Sequence, residues 1–135
     1  MNFQKILILL IISFSLNSYS SYTGVYYCSD NKVVGFEPKD SFKTTSFTEE
    51  KFKAKIDFEK KEVISKEMFF IKDFQQACLV NEYLPPSMQS ILCVSELGNS
   101  FTFYPESGYY ARSNLLNDKK PSDSISVAYG TCEKF

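Results

Sequence analysis

The stretch from Lys51 to Glu59 constrains the fold most. Phe52, Ala54, Ile56 and Phe58 alternate with Lys51, Lys53, Lys55, Asp57 and Glu59. Only an extended chain, whose side chains point to opposite faces with a period of two, gathers the four apolar residues on one side and the charges on the other. The segment therefore reads as a strand with one face on a core and one in water. By the same parity the lysines at 51, 53 and 55 belong to the solvent face; a small anion-binding stripe is the alternative reading of them. Lys60, Lys61 and Glu62 turn the chain into 63–71, where Val63, Ser65, Glu67 and Phe69 alternate with Ile64, Lys66, Met68 and Phe70. The two segments read as a hairpin.

Shorter strands recur along the rest of the chain. Tyr22 to Cys28 and Val33 to Glu37 flank Ser29, Asp30, Asn31 and Lys32, whose composition predicts a turn and a first hairpin. A strand near Phe74 to Val80 is broken by Pro85 and Pro86, which cannot donate to a ladder. Ile91 to Leu97 resumes, Gly98 and Asn99 turn, and Ser100 to Tyr104 returns. Pro105 to Gly108 then turns into Tyr109 to Ser113, and a polar loop from Asn114 to Asp123 precedes a last strand from Ser124 to Cys132. Thr48, Glu49 and Glu50 offer a weak helix start that the strand pattern overrides. No segment carries the spacing of three and four that helices between parallel strands require.

These features predict an all-β domain, an antiparallel meander of about eight strands. Closure into a small barrel resembling the lipocalin-like class removes exposed edges; a two-sheet β-sandwich is the alternative. At the N-terminus, Lys5 precedes an unbroken apolar run from Ile6 to Ile12, followed by Asn17, Ser18 and Ser20. That pattern predicts a secretory signal peptide over residues 1–20, cut after Ser20, and a single domain over 21–135. An uncleaved anchor is the rival reading, but the run is about half the roughly 20 apolar residues of a spanning helix. Cys28, behind Val25, Tyr26 and Tyr27, is badly placed for lipid attachment. A periplasmic or secreted product follows, without a membrane span once the signal is gone.

In an oxidising compartment the four cysteines are structural. Of three possible pairings, Cys28 with Cys132 suits the neighbouring first and last strands of a closed meander, and Cys78 with Cys93 flanks the proline loop. No CxxC spacing occurs and the chain has no histidine, so a metal site and any cofactor are not expected. Without histidine, the Ser-His-Asp and Cys-His nucleophile systems are excluded. Glu37, Asp57, Glu82, Glu96 and Glu106 leave carboxylate chemistry formally open, but no spacing singles out a pair. No catalytic residue is assigned, and the chain is expected not to be an enzyme. With Lys5 gone, 14 basic residues face 16 acidic ones, which argues against nucleic acid and anionic membrane as main partners.

Binding is the expectation that remains. Tyr104, Ser107, Gly108, Tyr109 and Tyr110 form an aromatic turn at one end of the barrel, where side chains line a pocket mouth or a protein-contact patch. The bland alternative is that alternate members fill the core. The loop with Lys119, Lys120 and Pro121 is a second, mobile surface. Two occupants are expected for the domain: a small apolar or aromatic ligand in the barrel mouth, or a protein partner at the Ser107 to Tyr110 turn.

Gly24 to Cys28, the central Cys78 and Cys93, and Ala128 to Cys132 together resemble a family of small exported four-cysteine β proteins of bacteria, a likeness that brings no activity with it. A second set of residues resembles the periplasmic inhibitors of c-type lysozyme, small β-barrels with a Tyr-x-Cys in the first strand, a late cysteine and a Ser-Gly-x-x-Tyr loop that enters the lysozyme cleft. Tyr26 and Cys28 match the first element, Cys132 the second, and Ser107 with Gly108 the start of the third. The tyrosine falls one place early, at Tyr110, with Ala111 at the motif position. That resemblance implies an inhibitor that grips a protein through this turn.

Overall fold

The computed structural model describes residues 22–37, 41–66, 68, 74–95, 98–115 and 124–135. Residues 1–20, expected to be a signal peptide, and most of the polar loop, 116–123, lie outside the described residues, as does Glu96. Nine strands are present among those described: β1 (Gly24–Phe36), β2 (Thr44–Ser46), β3 (Lys51–Asp57), β4 (Glu62–Ser65), β5 (Phe74–Val80), β6 (Ile91–Val94), β7 (Ser100–Tyr104), β8 (Tyr109–Asn114) and β9 (Ile125–Lys134). Every pairing is antiparallel. The order β1-β3-β4-β5-β6-β7-β8-β9 closes through β1 with β9, so eight strands make a barrel and β2 is added beside β1. The barrel, not the sandwich, is the architecture.

The alternation in β3 works as its sequence dictates: Phe52, Ala54 and Ile56 are buried and Lys51, Lys53 and Lys55 exposed. Across the turn, Lys55, Ile56 and Asp57 face Ile64, Val63 and Glu62. Asp57 Oδ1 accepts the Lys60 backbone N–H at 2.9 Å and so fixes that turn. The other strands supply the remaining inward positions. Ile56, Val63, Met68, Ile91, Phe101 and Phe103 are fully buried. Rings meet edge to face where strands converge, Tyr26 on Phe103 at 4.9 Å and Phe52 on Tyr110 at 5.4 Å. Each such pair adds about 0.5–1.5 kcal/mol beyond its buried area.

Both disulfides form as the meander predicts. Cys28 bonds Cys132 and Cys78 bonds Cys93, and each pair occupies directly opposed positions on neighbouring strands. The first joins the two strands whose pairing closes the barrel. In the chain-entropy model the inner loop of 15 residues is worth about 3 kcal/mol and the outer one of 104 residues about 4–5 kcal/mol. Among the described residues no helix is long and apolar enough to cross a membrane, and no cluster of three metal-binding side chains occurs.

The expected first hairpin is corrected. Ser29 to Lys32 do not reverse the chain; β1 runs through them to Phe36, paired with β9 over most of its length. Asp30 faces Gly130 and Lys32 faces Tyr129, so Asn31 is an extra residue, a β-bulge. Polar residues that would ordinarily turn the chain are held extended because Asp30 points inward to charged partners. The outlying strand β2 carries no apolar alternation and was not anticipated from the sequence.

Candidate binding surface

The turn between β7 and β8 is built by its backbone. Gly108 adopts φ of 71°, where a side chain strains the chain, and an added Cβ would lie 2.9 Å from the Cys132 carbonyl oxygen. The Gly108 N–H donates to the Tyr104 carbonyl at 2.9 Å, and Cys132 N–H donates to the Gly108 carbonyl at 2.7 Å. Ser107 Oγ accepts the Tyr109 N–H at 3.3 Å. The turn is thus pinned to β9 beside the outer disulfide.

Of the five residues expected at this end, Tyr104 and Tyr109 are opposite each other and exposed, Ser107 is exposed, and Gly108 is half-buried. Tyr110 goes the other way. It is 2% exposed, packs between Phe52 and Phe101, and presents no surface to a partner. Period two separates it from Tyr109, so the core claims it. The same parity turns Ala111 outward. The position where the lysozyme-inhibitor pattern has its tyrosine therefore presents a methyl group.

From the tyrosine pair an outward row crosses the sheet through Thr131 and Ser29 to Lys51. Beside it, a groove of about 410 Å³ runs between Lys51 and Lys53 on one bank and Glu133 on the other, with Tyr27 in its floor. Lys53 Nζ sits 4.9 Å from the centre of the Tyr27 ring, and Phe135 meets the same ring edge to face. Below the turn, Tyr22 Oη donates to Glu106 at 2.6 Å; that hydrogen bond, with a smaller contribution from burial, pushes the Tyr22 hydroxyl up from its ordinary pKa. A second groove, about 470 Å³, lies on the outside of β7, β8 and β9 and is lined by Val34, Val127, Tyr129 and Ala111 with Lys32 and several hydroxyl-bearing residues.

The charged centre that the sequence did not reveal lies inside. Arg112, the only arginine of the chain, reaches Asp30 with Nη2 at 2.5 Å and Nε at 3.2 Å, and Glu50 with Nη2 at 2.7 Å. Tyr110 Oη donates to Asp30 Oδ1 at 2.6 Å, and the Glu50 N–H donates to Asp30 Oδ2 at 3.0 Å. The Asp30 and Arg112 side chains are almost fully buried. Burial lowers the Arg112 pKa, but hydrogen bonds and charges from Asp30, then Glu50, outweigh it and hold the guanidinium above its ordinary value. Burial, reinforced by Asp30, pushes the Tyr110 hydroxyl far above its ordinary value. Room for that hydroxyl exists because position 130 is glycine; a Cβ there would stand 2.7 Å from Tyr110 Oη and collide with the Ser29 carbonyl. The centre ties β1, β8 and the chain before β3 together.

Of the carboxylates left open by the sequence, three are engaged separately in the described residues. Asp57 caps its turn, Glu82 pairs with Lys61 at 2.7 Å and Glu106 accepts from Tyr22. No protein-family model matches this chain, and no curated protein is significantly similar to it in sequence.

Proposed function

We propose that the chain is an exported, non-catalytic binding protein that recognises a protein partner through the Tyr104–Tyr109 turn, after removal of residues 1–20. Export to the periplasm or beyond is supported by two disulfides, which persist only in an oxidising space. The observation that carries the binding surface is the division of side chains by parity. Phe101, Phe103 and Tyr110 fill the inside while Tyr104 and Tyr109 stand exposed beside Ser107. Eight strands leave room either for side chains or for one small ligand; here side chains take the interior, which favours an outer site. Rigid tyrosines at a braced turn lose little entropy on contact and suit a protein interface. The likeness to lysozyme inhibitors is weakened by Ala111 at the outward motif position, so the partner class stays broader than lysozyme.

A photo-crosslinking side chain at Ser107 in the exported protein tests this. A discrete protein adduct that is lost in Tyr104→Ala/Tyr109→Ala is the expected result; an adduct that survives the double substitution overturns the turn as the contact. The second reading, a small apolar or aromatic ligand, draws on the groove of about 470 Å³ beside Val127 and Tyr129 rather than on the barrel mouth. A molecule retained by the native protein and released by Val127→Lys would favour it.

A further inference from the structure

Cations gather on one part of the outer wall. The outward side chains of β3 are Lys51, Lys53 and Lys55, in a chain with 15 basic and 16 acidic residues. Lys32 adds an exposed cation farther along β1. Among the described residues, none of the three β3 lysines forms an ion pair: Lys61 holds Glu82, and Glu50, the neighbour of Lys51, is engaged by Arg112. Exposed Glu133 faces Lys53 from two strands away, across Tyr27.

The register turns these residues into a channel. Its floor is β1, where Tyr27 and Ser29 point outward; Lys53 and Lys51 stand opposite them on β3, and Glu133 and Thr131 on β9. The banks are two strand spacings apart, about 10 Å, which admits one extended chain laid along β1. Lys53 Nζ lies 4.9 Å from the centre of the Tyr27 ring, and Phe135 meets that ring edge to face at 5.5 Å. Phe135 is itself tied down, its N–H donating to the Val25 carbonyl at 2.8 Å. Tyr109 stands opposite Thr131, so the β9 bank runs directly into the exposed tyrosine turn.

We infer that the partner gripped by the Tyr104–Tyr109 turn lays an extended acidic peptide segment along this channel, its carboxylates on Lys51 and Lys53. The inference rests on the protein-contact reading of that turn and names the chemistry of the partner. Both signs of charge in the channel select the occupant. Lysines without a carboxylate on one bank call for an acidic surface, which they steer and orient on approach. Glu133 on the other bank repels a uniform polyanion such as nucleic acid, whereas a peptide meets it with a backbone N–H or a basic side chain. Arginine, whose fork matches phosphate, is not on offer outside, because the only one is buried on Asp30. Tyr27 supplies an apolar floor with a polar tip between the charges.

Two crosslinks in the exported, oxidised protein test the inference. A photo-crosslinking side chain at Ser107 reports contact at the turn. A carbodiimide reports the ion pairs, since it joins an amine to a touching carboxylate as an amide with loss of water. The expected result is the same partner protein in both, its Asp or Glu side chains joined to Lys51 or Lys53 and located by peptide mass spectrometry. Lys51→Glu/Lys53→Glu should lower the photo-adduct yield about tenfold or more, as should a rise from low to molar salt. Lys60→Glu, in the β3–β4 turn, should leave it unchanged, and both variants should keep the wild-type melting transition. A Ser107 adduct that is lost in Tyr104→Ala/Tyr109→Ala but indifferent to charge reversal and salt, or that lacks amide links to Lys51 and Lys53, overturns the acidic segment and leaves the turn standing. An adduct with nucleic acid or an anionic glycan overturns it too, and the absence of any protein adduct at Ser107 overturns both readings.

Discussion

Arg112 and Asp30 form the most consequential pair of single residues. An ion pair buried this deeply is destabilised severely when one partner is removed, because the other stays charged without compensation. Arg112→Leu should therefore cost about 3–5 kcal/mol in denaturant unfolding, whereas Lys53→Ala on the surface should cost less than about 1 kcal/mol. Tyr110→Phe removes one hydrogen bond to Asp30 and should cost about 1–3 kcal/mol. It should also alter the alkaline limb. Below about pH 10 the folded and unfolded chains both keep the phenolic proton, so this source contributes no slope. Above it the unfolded chain releases the proton while the buried Tyr110 retains it, and stability falls by up to about 1.4 kcal/mol per pH unit. Tyr22 and Tyr26, also raised, act in the same direction. Unfolding curves between pH 9 and 11 should be shallower for Tyr110→Phe than for the wild type; equal slopes would show that its hydroxyl is not held. Little of this centre was legible in the sequence. Asp30 sat in a stretch with turn composition and Glu50 in a weak helix start, and their meeting with Arg112 spans 62 and 82 residues of chain. One signal was available: the inward parity of Tyr110 extends to position 112, where the only arginine stands.

Among the elements, β3 was readable at once because its alternation is strict and its hairpin local. β1 was misread because polar composition and chain reversal are ordinarily coupled, and here a buried charge uncouples them. The bulge at Asn31 keeps Asp30 and Val33 both facing inward. Deleting Asn31 removes only the extra residue and leaves Asp30, Val33 and Gly35 inward, whereas deleting Asn31 and Lys32 together should turn Val33 and Gly35 outward, since a one-residue slip exchanges the faces of a strand. The double deletion should bring a large fall in melting temperature or failure to fold and the single deletion a much smaller fall; equal losses would mean that strand parity is not what the bulge preserves. Gly108→Ala should cost about 1 kcal/mol or more from its positive φ and the nearby Cys132 carbonyl, and the loss should appear in the same unfolding measurement.

At the scale of the whole molecule, closure was legible from the edges an open meander would leave exposed, and the pairing of Cys28 with Cys132 followed from it. The filled interior was less so, because alternation tells which residues face inward but not whether they meet across the barrel. Phe52, Phe101 and Tyr110 do meet, as do Tyr26 and Phe103, which is why the proposed contact site lies outside. Replacing Cys28 and Cys132 with serine should destabilise the fold by about 4–5 kcal/mol, and replacing Cys78 and Cys93 by about 3 kcal/mol. Guanidinium unfolding of the two double variants should rank them in that order.

Proposed export, the sulfur bridge between the terminal strands and the filled interior are tested together by the intact mass of the native protein, taken under denaturing and then non-denaturing conditions. The mass should be that of residues 21–135 less four hydrogens, with no small molecule retained. A chain that begins at Met1 with four free thiols, or one that holds a ligand within the barrel, would contradict them.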